Sequence, residues 1–94
     1  DLRFLQVDNG NVTGFLKESV DRKNAVAVAI SLAGSPQDIW MHFGSEEIGP
    51  PDNRRGVRAI ENLVTGERHM LEWGGVRLRI DPAADPALFF RCYA

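Results

Sequence analysis

Two histidines, one cysteine and a scatter of carboxylates are the residues that could do chemistry in this chain. His42 and His69 fall in separate stretches, neither beside a cysteine nor a second histidine, so metal-ligand spacing is absent. Each histidine therefore reads as a surface or hydrogen-bonded residue. Glu46, Glu47, Glu61, Glu67 and Glu72 are dispersed. Glycoside chemistry needs two carboxyls held in one cleft, roughly 5–9.5 Å apart, and a chain of 94 residues offers little cleft. Gly-x-Ser-x-Gly is missing, and Gly74-Gly75 reads as a hairpin turn rather than a phosphate loop. The sequence thus assigns no catalytic residue, no metal ligand and no cofactor-binding motif. Cys92 lies in an apolar stretch and reads as a small core hydrophobe rather than a reactive thiol.

Aromatic side chains carry the remaining chemical idea. Trp40, Trp73 and Tyr93 fall at alternating positions that can point outward. An exposed ring can stack on the C–H face of a sugar; the competing role is packing under a loop or against a partner domain. Trp73, beside Gly74-Gly75 at a hairpin tip, is the better candidate platform, with Trp40 second.

Positioning these residues falls to short strands. Leu2 to Val7, Val12 to Glu18, Ala25 to Leu32, Asp38 to Phe43, Gly56 to Leu63, Glu67 to Trp73, Val76 to Ile80 and Leu88 to Tyr93 read as β, with turn residues between them. Asp8-Asn9-Gly10 and Trp73-Gly74-Gly75 are the clearest turns. Residues 44–55 form the longest loop, and Pro50-Pro51 bars a central strand there. About eight short strands without a convincing helix predict an all-β, antiparallel β-sandwich in one domain spanning 1–94. The expected core is Phe4, Val26, Val28, Ile30, Leu32, Ile39, Met41, Val76, Leu78, Ile80, Leu88 and Phe90. In 25–32 the branched residues alternate with alanines. Placing the branched face inward leaves Ala25, Ala27 and Ala29 outward, where small apolar residues admit a close neighbour. That neighbour is either another domain at this interdomain face or a covering loop; a third reading is that a few exposed alanines carry no meaning.

Composition sets the outer bounds. Apolar residues make up 44% and charged residues 26%, ordinary for a globular protein. A net charge of -2 with scattered basic residues argues against nucleic acid. No apolar run approaches the roughly 20 residues of a membrane span. A single cysteine fits a cytoplasmic setting. Asn11-Val12-Thr13 matches a glycosylation sequon, which nothing else supports. The abrupt start at Asp1 suggests a piece of a larger protein.

Several motifs then fall in a familiar order. Leu2-Arg3-Phe4 with Val7-Asp8-Asn9 opens the chain, and the Ala25 to Leu32 strand follows. Asn62-Leu63-Val64-Thr65-Gly66-Glu67-Arg68 comes next, then Trp73-Gly74-Gly75 with Val76-Arg77-Leu78-Arg79-Ile80-Asp81-Pro82, and finally Pro86-Ala87-Leu88-Phe89-Phe90-Arg91. Together they resemble the C-terminal β domain of family 13 glycoside hydrolases, the alpha-amylase family, nearest to its maltosyltransferases. Leu88 stands where that pattern has histidine, and the loop at 44–55 has no counterpart. The resemblance implies a parent enzyme acting on α-glucans, whose catalytic carboxylates sit in a (β/α)₈ barrel outside this segment. It implies a non-catalytic domain that packs on and stabilises that barrel, with dimer or secondary glucan contacts as further roles. A carbohydrate-binding module using exposed aromatics is the alternative. A bare docking face would also favour weak self-association.

Overall fold

The computed structural model describes residues 2–94. Asp1, on which the abrupt start was read, lies outside the described residues. Among the described residues ten strands run in chain order: β1 (Leu2–Val7), β2 (Val12–Glu18), β3 (Ala25–Ser31), β4 (Gln37–His42), β5 (Glu47–Ile48), β6 (Arg55–Gly56), β7 (Ala59–Asn62), β8 (Arg68–Met70), β9 (Gly75–Ile80) and β10 (Ala87–Tyr93). Eight of them make one antiparallel ribbon in the order β8-β7-β10-β3-β2-β1-β4-β9; β5 and β6 form a small separate pair. The all-β antiparallel sandwich read from the sequence is the observed architecture.

The ribbon becomes two layers because β1 belongs to both. Its first half, Leu2 to Leu5, pairs with β2, while Gln6 and Val7 pair with β4. One layer is therefore β8-β7-β10-β3-β2-β1, and the other is β1-β4-β9. The far side of the sandwich, between β8 and β9, stays open.

The core lies between the layers. Ile39 and Met41 of β4, Phe43, and Val76, Leu78 and Ile80 of β9 fill it from one side. Leu5, Leu16, Ile60, Phe90 and Cys92 meet them from the other, together with Ala25, Ala27 and Ala29. The alanines therefore face inward, and the outward interdomain face expected of them is corrected. Cross-strand pairing explains why. Leu16, Ala27 and Phe90 lie side by side, as do Leu5, Gly14, Ala29 and Leu88. Each row is small at its centre and large at its ends. Met41 projects into the dip, its sulfur 3.2 Å from where a Cβ on Gly14 would stand. A period of two marks two unlike faces but leaves open which is buried. The opposing layer brings enough bulk that β3 must be thin there.

The expected core residues on the opposite face are displaced accordingly. Phe4 is 73% exposed and Leu32 80% exposed, while Val26 and Ile30 are only half-buried on the outer surface. Val28 also points outward, yet its neighbours cover it. Ile39, Met41, Val76, Leu78, Ile80 and Phe90 are core as expected, and Leu88 packs at its margin. The run Glu67 to Trp73 shortens to β8: Leu71 N–H still donates to the Arg58 carbonyl at 2.9 Å in the β7–β8 register, and the chain then enters the turn at 72–75 that leads into β9 of the other layer.

The two face assignments make opposite predictions. Ala29→Leu should cost about 1–3 kcal/mol by overpacking, whereas Ile30→Thr should cost clearly less. Urea denaturation of the two variants measures this; the reverse order would put the branched face inside.

Candidate functional site

The sandwich's open side holds a surface groove that gathers aromatic and charged side chains. It measures about 680 Å³ and is lined by Trp40, Arg68, His69, Glu72, Trp73 and Arg77 among others. Sequence reasoning named both tryptophans, and the fold brings them to one site.

Local geometry fixes both rings. Residues 72–75 form a two-residue hairpin turn: Glu72 N–H donates to the Gly75 carbonyl at 2.9 Å, and Gly75 N–H to the Glu72 carbonyl at 3.0 Å. Its central residues, Trp73 (φ 55°) and Gly74 (φ 74°), are both left-handed, as a type I′ turn demands. Asn or Gly normally takes the first of these places; a bulky tryptophan there is strained. Phe43 N–H (2.7 Å) and Gly44 N–H (3.0 Å) both donate to the Gly74 carbonyl, anchoring the tip to the end of β4. The Trp73 indole is 95% exposed. Trp40 is half-buried, with its indole laid over Gly75: a Cβ there would stand 2.5 Å from Nε1. The Arg77 guanidinium sits 5.9 Å from the Trp40 ring and the His42 ring packs edge-on at 6.0 Å.

Of the other candidate residues, His69 and Glu72 also line the groove, and the rest are dispersed. His42 Nε2 lies 3.0 Å from Asp8 Oδ2, and His69 Nε2 lies 2.9 Å from Glu67 Oε1. Tyr93 is away from the groove lining, donating to Glu61 Oε1 at 3.1 Å with Arg68 over its ring at 4.5 Å. Burial pushes the Cys92 thiol up to about 12, so it stays protonated among its core neighbours. Among the described residues no group of three or more His, Cys, Asp or Glu side chains is placed to hold a metal.

Sequence reasoning missed an ionic clamp. Glu18 is 2% exposed and ends the inward-facing series Val12, Gly14, Leu16, Glu18. Its Oε1 accepts from Arg3 Nη2 (2.6 Å) and Arg54 Nη2 (2.7 Å). Its Oε2 accepts from Arg54 Nη1 and Gly49 N–H, both at 3.3 Å. Arg54 also donates to the Gly49 and Glu47 carbonyls at 2.6 Å each. The long loop is thereby tied to β2. A carboxylate closing an apolar alternation was the available signal: buried charge requires a partner. The Arg54 hydrogen bond, outweighing burial, holds the Glu18 carboxyl below the ordinary glutamate value of 4.5.

No family model matches the chain. It is 35% identical, over an alignment of 95 positions, to the alpha-1,4-glucan:maltose-1-phosphate maltosyltransferase of Rhodospirillum rubrum. The chain is related to a segment of that enzyme. The alignment takes in 96% of this chain but 13% of the maltosyltransferase.

Two outcomes follow. Trp73→Asn should raise stability by about 0.5–1 kcal/mol, since Asn tolerates the left-handed turn, read as an upward shift of the melting temperature. Glu18→Ala should cost about 2–4 kcal/mol at neutral pH. A lowered folded pKa means that this contribution is complete above the ordinary glutamate value and fades as pH falls through the folded one. The gap between wild type and Glu18→Ala should therefore narrow in acid, which denaturation at a series of pH values below neutrality checks.

Proposed function

We propose that this chain is a non-catalytic accessory domain of an α-glucan-active enzyme, docked on that enzyme's catalytic domain through the outer face of its larger layer. The observation that carries the reading is a row of apolar side chains running across four strands. Phe4 pairs with Phe15, Phe15 with Val28, and Val28 with Phe89. Phe89 is 45% exposed, and Leu2, Leu32 and Leu63 are exposed as well. Lys17 and Arg91 border the row through their common neighbour Val26. A strip of apolar side chains with a charged rim suits a protein interface.

Glucan chemistry is supported by the maltosyltransferase relationship, and the accessory role by the small share of that enzyme to which the chain corresponds. The interdomain face suggested for Ala25, Ala27 and Ala29 moves to the branched side of the same strand, Val26, Val28 and Ile30. In isolation the bare strip favours weak self-association, with hydrophobic burial as the driving force.

The test uses Phe4→Gln with Phe89→Gln. In the isolated chain this pair should leave the melting temperature nearly unchanged and reduce any self-association seen by sedimentation. In the longer enzyme carrying this segment it should lower the melting temperature by several degrees, because the docked face loses its anchors. Equal melting temperatures for that enzyme and its double variant would overturn the docking face.

A further inference from the structure

We propose that the groove on the open side of the sandwich binds a chain of α-1,4-linked glucose, with Trp73 as the stacking platform. The sugar's identity rests on the α-glucan reading above; the shape and chemistry of the groove are independent of it.

Trp73 is the central observation. Its indole is almost wholly exposed, so it contributes little to the core. It occupies a backbone conformation for which its type is ill suited. Packing within this chain does not account for a strained and exposed tryptophan, whereas a partner from outside it does. The turn is already ordered: its tip is anchored through two hydrogen bonds to the Gly74 carbonyl. A ligand would meet a preset ring rather than having to immobilise one.

The remainder of the groove fits the same ligand. Trp40 supplies a second indole, held over Gly75 where no other residue leaves room for it. Around the two rings stand Arg68, His69, Glu72 and Arg77. A pyranose offers flat C–H faces and a rim of hydroxyls. Indole faces match the first, while guanidinium, imidazole and carboxylate groups donate to or accept from the second. Charges of both signs in the lining disfavour a polyanion such as nucleic acid, which needs a clustered basic surface. An apolar peptide would leave these polar groups without partners, at a cost for each group desolvated.

The experiment follows the two indole N–H resonances in ¹H–¹⁵N spectra of the 94-residue chain, titrated with maltoheptaose and separately with cellohexaose. Saturable shifts at millimolar maltoheptaose, centred on Trp73 and including Trp40, are expected, with cellohexaose giving much weaker ones. Trp73→Asn should remain folded, since Asn suits that turn, and should weaken maltoheptaose binding at least about tenfold, followed at the Trp40 resonance. Trp73→Phe should retain part of the affinity. Three results would overturn the proposal: no saturable shift with millimolar maltoheptaose, undiminished binding by Trp73→Asn, or cellohexaose bound as well as maltoheptaose. None of these depends on Phe4 or Phe89, so the groove and the docking face can fail separately.

Discussion

The depth available between the two layers governs this molecule. β4 and β9 send Ile39, Met41, Val76, Leu78 and Ile80 inward, and β3, at the heart of the larger layer, answers with small side chains, three alanines and Ser31. With Ala27 and Ala29 at the centre of its inner side, the thioether of Met41 can settle over Gly14. Close packing of this kind leaves little latitude for added volume. The same division of labour puts β3's large side chains on the outside. Core and outer apolar strip thus have one origin: a strand that must be thin within keeps its bulk without, and that bulk lines up with Phe4, Phe15 and Phe89.

Much of this was legible in the sequence, and the failures have definite causes. Strand positions followed from alternation and turn chemistry; β1, β2 and β9 lie where the pattern puts them, to within a residue. The inward face of β9 was plain because arginines occupy the alternate positions. β3 gave no such clue, since both of its faces are apolar, and size proved a poor guide to depth. β8 is shorter than its alternation suggests because the chain there must leave one layer for the other. The loop at 44–55 offered no regular pattern, and its anchor, Glu18, lies about thirty residues away in sequence. Trp40 and Trp73 were each recognisable singly; only the hairpin register brings them to one groove.

The two proposed surfaces differ in physical character. The strip on the larger layer is broad and apolar, and it gains by burial of area. The groove presents fixed rings among charged groups, and it gains by matching a ligand's shape and hydroxyl pattern. Apart from both, the Glu18 clamp holds residues of the 44–55 loop against β2 by charge-assisted hydrogen bonds, including the paired contacts from Arg54.

β10 lies between β3 and β7 in the larger layer, pairing with each along most of its length. Yet it is the latest of these strands to leave the ribosome, about sixty residues after the strand it must join. Until it arrives, β3 has an unoccupied hydrogen-bonding edge and an uncovered oily surface on the same segment. Such a nascent chain is a template for pairing with its neighbours. Passage from synthesis to the finished domain is thus a race between the arrival of one strand and encounters with other half-made copies, and slower translation of β10 would prolong the exposure.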